Sequence, residues 1–140
     1  MIKAVVLATS IALATIASSG FAQNPELSRA LTEEVSVTGQ MNADKFQKLM
    51  TEGFKSVIVN RPDQENGNVV TAAQLRSIAE QSRVSLIYQP VVSGAISQAD
   101  IEEFAKYYNE LPKPILMVCR SGTRSAQLFN QAKTQGLLNE

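Results

Sequence analysis

The stretch LMVCRSGTRSAQLF, from Leu116 to Phe129, contains the parts of a strand–loop–helix unit. Its apolar start ends at Cys119, which is the only cysteine in a chain of 140 residues that has no histidine. The apolar residues that follow the loop are typical of a helix that packs on a core: Ala126, Leu128, Phe129 and Ala132. We therefore predict a buried strand joined to a helix by a loop short enough to wrap around the thiol.

Comparable signals alternate along the rest of the chain. Short β-branched or apolar runs predict strands at Val35–Gly39, Lys55–Asn60, Val84–Val91 and Ile115–Cys119. Helix starts between them are indicated by Asn42, by Thr71 with Gln74, and by Ser97 with Asp100. Strands separated by helices predict an α/β fold, with a mainly parallel sheet covered by helices on both faces.

Sites in such sheets form outside the carboxyl ends of the strands. Three loops are expected to meet at that edge, namely Arg61–Asn68, Val91–Ala95 and Cys119–Arg124. The size of the chain allows one domain, which we place at residues 35–140.

The N-terminus has the pattern of a cleaved signal peptide over residues 1–22. After Lys3 the chain is apolar or weakly polar and uncharged through Ala17, and Gly20 and Ala22 form a small-x-small cleavage pattern. Cleavage after Ala22 would give a periplasmic or secreted protein without a membrane segment. Residues 23–34 are expected to be a flexible lead-in.

Charge gives little indication of a macromolecular partner. Removal of residues 1–22 leaves 12 basic and 13 acidic side chains, so nothing points to a nucleic acid or an anionic membrane. One cysteine and no histidine make a transition-metal site improbable, and no cofactor is expected.

The loop after Cys119 has the features that activate a thiol. Backbone N–H groups of the loop and of the first helical turn form an anion cradle, and Gly122 permits the backbone angles that this cradle requires. Arg120 and Arg124 add positive charge, so the thiol pKa is expected to fall. A thiolate nucleophile then needs no histidine base. The alternative is a buried cysteine that only packs, but two arginines, a glycine and several hydroxyls nearby make a poor core.

Three stretches resemble the phosphatase-like domain of the beta-lactamase-hydrolase-like protein family. They are VTGQM (Val37–Met41), VIVNRPDQE (Val57–Glu65) and VCRSGTRSAQLF (Val118–Phe129). The last also resembles the active loop of rhodanese-type sulfurtransferases. The resemblance implies a three-layer fold like that of dual-specificity phosphatases, with a sulfur-transfer or phosphatase-like activity.

The resemblance also distinguishes two chemistries by residue spacing. Cysteine-dependent phosphatases place five residues between cysteine and arginine, whereas four separate Cys119 from Arg124 here. This shorter loop favours a sulfurtransferase that carries sulfur as a Cys119 persulfide and passes it to a thiol, with a thiol protein as one acceptor. Phosphate ester hydrolysis through a phosphocysteine is the alternative, and Ser125 after the arginine favours it. A noncatalytic anion-binding or sulfur-carrier module is a third hypothesis.

Each site residue has an expected role in binding a small anionic sulfur or phosphate substrate. Cys119 and Arg124 are the expected catalytic pair. The expected substrate-binding residues are Arg120, Ser121, Gly122, Thr123, Ser125 and, from a neighbouring loop, Arg61. Asp63 is the candidate general acid, although a turn role after Pro62 fits it equally well. Asp100 is better explained as part of a helix cap.

Overall fold

The computed structural model describes residues 26–140. The predicted signal peptide, its cleavage after Ala22 and the first part of the predicted lead-in lie outside the described residues and stay predictions. Within residues 26–140, no helix is both long and apolar enough to cross a membrane.

Strands and helices alternate along the described chain. In order they are β1 (Arg29–Ala30), β2 (Val35–Thr38), α1 (Ala43–Leu49), β3 (Ser56–Val59), α2 (Ala72–Gln81), β4 (Ser85–Tyr88), α3 (Gln98–Glu110), β5 (Ile115–Val118) and α4 (Thr123–Thr134). The strands form one sheet in the order β1-β2-β5-β3-β4. β1 is antiparallel to β2, and the other neighbouring strands are parallel.

The strand that leads to the cysteine lies in the centre of the sheet. β5 pairs with β2 on one side and with β3 on the other. All four residues of β5 are buried, as expected for a strand covered on both faces. Cys119 therefore leaves the sheet at its middle, where the loops of neighbouring strands surround it.

Side-chain alternation along β5 divides the core into two layers. Ile115 and Met117 belong to the cluster that contains residues of α3 and α4, whereas Leu116 and Val118 belong to the cluster that contains residues of α1 and α2. Successive side chains of a strand point to opposite faces, so the sheet separates two pairs of helices. The predicted three-layer α/β class is confirmed.

Local capping signals define the helix starts as expected. The side chain of Asn42 caps α1, and reciprocal capping boxes open α2 at Thr71 and α3 at Ser97. The partner in the α3 box is Asp100, which confirms its assignment to a helix cap. Each cap supplies a partner for backbone N–H groups that the helix cannot satisfy.

The segment before β2 differs from the expected lead-in. Arg29 and Ala30 form β1, pairing with Val37 and Ser36 of β2. The Thr38 hydroxyl also donates to the carbonyl of Leu27 at 2.7 Å. A two-residue strand has no periodicity of its own, so sequence patterning could not reveal this edge of the sheet.

Candidate active site

Cys119 is fixed by the backbone of the strand that precedes it. Its N–H donates to the carbonyl of Thr38 at 3.1 Å, which continues the pairing of β5 with β2 by one residue. The residue is 1% exposed and its thiol is free. Its side chain is thus held at the carboxyl edge of the sheet, directly before the loop that enters α4.

The cysteine loop packs closely against the end of β2. Gly39 forms an isolated bridge with Ser121. A Cβ atom at Gly39 would lie 2.8 Å from the carbonyl oxygen of Arg120 and 3.0 Å from the Cα of Ser121, both of which are backbone atoms. Glycine is therefore required here by close backbone approach, and it sets the path of the loop.

Gly122 directs a backbone donor at the sulfur. Its N–H donates to Cys119 Sγ at 2.9 Å. It is the N-cap of α4 with φ of 90°, a left-handed conformation that glycine adopts without steric cost, and α4 has no side-chain cap. The positive end of this helix is thus directed to the thiol.

The surroundings of Cys119 favour its thiolate form. Burial by itself raises the pKa of the thiol, but the N–H and hydroxyl of Ser125 and the N–H groups of Ser121 and Gly122 lower it further than burial raises it. The net pKa lies below its ordinary value of 9.0. The expectation of an activated thiol is consistent with this geometry, and helix and loop amides supply the stabilisation.

The Ser125 hydroxyl is positioned by a buried amide from β3's end. Its oxygen donates to Asn60 Oδ1 at 2.8 Å, and Asn60 Nδ2 donates to the carbonyl of Gln89 at 3.2 Å. Asn60 and Ser125 are fully buried. The single hydroxyl proton is shared between Asn60 Oδ1 and the sulfur, whereas the backbone N–H groups of Ser121, Gly122 and Ser125 stabilise the thiolate whichever acceptor that proton takes.

Arg124 is buried at the start of α4 and anchored on two neighbouring loops. Its Nη1 donates to the carbonyl of Val91 at 3.0 Å, and its Nη2 lies 2.9 Å from Glu65 Oε2. Its Nε is buried and has no partner among residues 26–140. A buried donor without a partner costs free energy, so an acceptor brought within hydrogen-bond distance of this nitrogen would be stabilising.

Glu65 joins Arg124 to a second buried arginine. Arg61 Nε lies 2.9 Å from Glu65 Oε1, and the other two Arg61 nitrogens donate to the side chain of Gln40 and the carbonyl of Asn66. The hydrogen bond from Arg124 lowers the pKa of Glu65 most, and Arg61 lowers it further against the opposing effect of burial. Glu65 is thus held as the carboxylate between the two guanidiniums.

Arg61 therefore differs from its expected role as a substrate ligand. It is only 3% exposed, and its three nitrogens are all directed at protein acceptors. It acts on the site through Glu65, which in turn holds Arg124.

A cavity of about 270 Å³ opens at the thiol. Its lining residues are Ser93, Gly94, Cys119, Arg120, Ser121, Thr123, Arg124 and Gln127. Most of the predicted cysteine-loop residues are brought together here, whereas Ser125 and Gly122 act behind the lining through hydrogen bonds. Besides Cys119, the ionisable residues in the lining are Arg120 and Arg124, so the cavity favours an anionic ligand.

The candidate general acid is placed elsewhere. Asp63 Oδ1 accepts a hydrogen bond from the N–H of Ala72 at 2.7 Å, and the N–H of Asp63 donates to the hydroxyl oxygen of Tyr88 at 2.8 Å. Asp63 does not line the cavity. This differs from the expected catalytic role and agrees with a structural role in the loop before α2.

Several residues that build the site were not identified from the sequence. Gly39, Asn60 and Glu65 lie far from Cys119 in the chain. Each is a small or polar residue of the kind that is common at turns and strand ends, so local patterns gave no reason to assign it to the site. The available signal was their position in the stretches VTGQM and VIVNRPDQE. In the structure these two stretches contact the cysteine loop and its arginine.

The fold and the thiol loop together define a cysteine-based domain of the phosphatase type. A family model for the phosphatase-like domain of beta-lactamase hydrolase-like protein matches residues 27–136. The chain belongs to this family, as the three sequence stretches predicted.

Curated relatives share the domain within longer proteins. The beta-lactamase hydrolase-like proteins of Agrobacterium fabrum and of Xylella fastidiosa strain Temecula1 are 31% and 29% identical over 99 residues. These matches cover 71% of this chain and 23% of each relative, so the chain spans about a quarter of their length.

Solved structures show the same architecture. A candidate phosphatase from Neisseria meningitidis is 29% identical with a TM-score of 0.69, and the match covers 75% of each chain. The catalytic core of the PP-IP phosphatase SIW14 from S. cerevisiae is 17% identical with a TM-score of 0.62, covering 79% of this chain and 67% of that one. These likenesses confirm the predicted phosphatase-like fold.

Proposed function

We propose that this domain hydrolyses phosphate esters through a phosphocysteine at Cys119. The observation that carries the proposal is the placement of a thiol with a lowered pKa in one cavity with Arg124, whose buried Nε has no partner among the described residues. The phosphatase-like family and fold support the same class of chemistry. The preferred hypothesis from sequence was sulfur transfer, and phosphate hydrolysis was its alternative.

The proposed reaction has two steps. In the first, the electron pair of the Cys119 thiolate forms an S–P bond, while the P–O bond to the leaving group breaks and its electrons depart with the oxygen. In the second, a water oxygen attacks phosphorus, the S–P bond breaks and the thiolate returns, with the proton of water passing to solvent. The N–H groups of the loop and Arg124 stabilise the charge on the phosphoryl oxygens in both steps.

An adjoining groove leaves room for the remainder of the substrate. This groove measures about 440 Å³ and shares Gly94 and Gln127 with the cavity at the thiol. Its other lining residues are Ile96, Gln98, Ile101, Gln131 and Gln135. The groove has no charged side chain in its lining, so it suits an uncharged part of a leaving group better than a second phosphate.

Sulfur transfer is the second candidate, and one observation favours it. Four residues separate Cys119 from Arg124, as in rhodanese-type loops. In this reaction the thiolate attacks the outer sulfur of thiosulfate, the S–S bond breaks, and sulfite leaves with its electron pair. The resulting Cys119 persulfide passes its sulfur to an acceptor thiol, for which a thiol protein is one proposed partner.

Mass spectrometry of the intact protein distinguishes the two candidates. We expect 4-nitrophenyl phosphate, after a rapid acid quench, to add the mass of one phosphoryl group to the protein and to release nitrophenol in repeated turnovers. Cys119→Ser should do neither. A matched control is Ser77→Ala, which changes an exposed hydroxyl on α2 and should retain full activity.

Mass spectrometry after incubation with thiosulfate tests the sulfurtransferase alternative. Thiosulfate that adds one sulfur atom at Cys119, together with no turnover of 4-nitrophenyl phosphate, would refute the phosphatase proposal in favour of sulfur transfer. Failure of both reagents to modify Cys119 would also refute the phosphatase proposal and would favour an anion-binding module without catalytic activity.

A further inference from the structure

We infer that leaving-group chemistry selects the substrate: the site acts on aryl phosphates and acyl phosphates, whose leaving group departs as a stable phenolate or carboxylate anion, and not on alkyl phosphates. This inference rests on the proposed phosphatase function and deepens it. Its basis is the location of every carboxylate that the chain contains relative to the cavity at Cys119.

The cavity contains no group that donates a proton at neutral pH. The chain has 13 Asp and Glu residues and no His, and residues 1–25 contain none of these acids. All carboxylates therefore lie in the part of the chain that the structure describes, and none lines the cavity. Apart from the thiol, the lining offers hydroxyl, amide, guanidinium and backbone groups, none of which is a general acid at neutral pH.

The carboxylates on the surrounding loops are committed to other partners. Asp63 Oδ1 accepts the N–H of Ala72 at 2.7 Å, and Asp100 Oδ2 accepts the N–H of Ser97 at 2.9 Å in the capping box of α3. Glu65 is paired with two guanidiniums and is held ionised, so it has no proton to give. These contacts hold the three carboxylates in place, and none of the three lines the cavity at Cys119.

The acidity of the leaving group determines how strongly the absence of a general acid slows the reaction. A leaving alkoxide comes from an alcohol about as weakly acidic as water, whereas a phenol has a pKa of about 10 and a carboxylic acid a pKa of about 4. General acid catalysis contributes roughly a hundredfold to ten-thousandfold to such steps. Without an acid, the rate must fall steeply as the leaving group becomes more basic.

One loop position offers a direct way to supply the missing acid. Ser93 lines the cavity and lies in the loop between β4 and α3, while its neighbour Val92 is 64% exposed and does not line the cavity. Ser93→Asp places a carboxyl group at the cavity, and Val92→Asp places the same charge on the same loop but outside it. The two variants form a matched pair.

The test is a series of phosphate esters assayed by kcat/KM, using 4-nitrophenyl, phenyl and glycerol phosphates. For the unmodified protein we expect a fall of about a hundredfold or more from 4-nitrophenyl to phenyl phosphate, and no measurable turnover of glycerol phosphate. Ser93→Asp should raise the ratio of phenyl to 4-nitrophenyl activity by roughly tenfold, whereas Val92→Asp should leave the ratio unchanged.

A second readout is the pH profile of kcat/KM for 4-nitrophenyl phosphate. We expect a rise with pH and no descending limb from a general acid, because bell-shaped profiles report an acid and a base together. Similar rates across the ester series, a bell-shaped profile, or no gain on phenyl phosphate in an active Ser93→Asp variant would each overturn the inference. Complete lack of 4-nitrophenyl phosphate turnover instead contradicts the proposed function itself.

Discussion

Replacing Glu65 by glutamine tests the charge network that holds the arginine of the site. Glu65 lies 2.9 Å from Arg61 Nε and 2.9 Å from Arg124 Nη2, and these arginines are 3% and 5% exposed. Glutamine keeps one acceptor oxygen but removes the negative charge. Two nearly buried guanidiniums then share a site without a counter-charge, which is the condition under which loss of a buried ionic partner is most costly.

The size of the effect follows from these contacts. Breaking a buried ion pair by removing one partner costs about 3–5 kcal/mol, and a charged hydrogen bond contributes about 1.5–3 kcal/mol. Glu65 is 19% exposed, and glutamine retains one hydrogen bond, so we expect a loss of about 2–3 kcal/mol. This is a large part of the roughly 5–15 kcal/mol that stabilises a domain.

Urea unfolding of the described domain measures this loss. We expect the midpoint of Glu65→Gln to fall by about 1–2 M with little change in slope. Glu80→Gln, at an exposed position on α2, is the charge-matched control and should change the free energy of unfolding by less than about 0.5 kcal/mol. A midpoint for Glu65→Gln equal to that of the control would refute the proposed role of the network.

The pH dependence of the difference in unfolding free energy between the unmodified protein and Glu65→Gln gives an independent check. The pKa of Glu65 is lowered in the folded protein from its ordinary 4.5, so its stabilisation is fully present above about pH 4.5 and is lost as pH falls through the lowered value. The gap in stability between the unmodified protein and Glu65→Gln should therefore narrow only in acid. A gap that is constant down to strongly acidic pH would contradict an ionic origin.

Two further changes test the thiol and its loop. Ser125→Ala removes a hydroxyl and should raise the pKa of Cys119, so the ultraviolet absorbance of the thiolate appears at higher pH than in the unmodified protein; an unchanged titration curve would exclude a role for this hydroxyl. The stability that the lowered thiol pKa provides is present above the ordinary value of 9.0 and is lost as pH falls through the folded value, and Ser125→Ala should weaken this pH dependence. Gly39→Ala places a Cβ 2.8 Å from the Arg120 carbonyl and should cost about 1–3 kcal/mol in thermal or urea unfolding while reducing 4-nitrophenyl phosphate turnover. Gly53→Ala, at a φ of 95° with open space around it, should lose stability by strain alone and keep its activity, and equal activity losses in the two glycine variants would contradict a specific effect on the loop.

Local signals in the sequence were enough for most elements of the fold. Helix starts at Thr71 and Ser97 were predictable because a capping box involves residues only three positions apart. Strands such as Ser56–Val59 were predictable because burial on both faces requires a continuous apolar run. The strand ends were harder to predict, and β4 ends at Tyr88 rather than at the predicted Val91.

The long-range polar contacts of the site could not be predicted in this way. Ser125 and Asn60 are separated by 65 positions, and Arg124 and Glu65 by 59. Nothing in the local pattern around Glu65 distinguishes a buried partner of two arginines from a solvent-exposed loop acid. Arg61 was assigned to the substrate for the same reason, because its acceptors are supplied by residues that only the fold brings near.

The sequence by itself determined the order of strands and helices, the helix caps, and the single thiol placed between a central strand and a helix start. These features depend on residues only a few positions apart, so their periodicity and capping hydrogen bonds can be recognised from short stretches of sequence. Only the tertiary structure decided which charges meet: that Glu65 holds Arg124, that the nitrogens of Arg61 are occupied by protein acceptors, and that no carboxylate lines the cavity. The physical reason is that a buried charge takes whichever partner the packing of distant loops brings within hydrogen-bond distance.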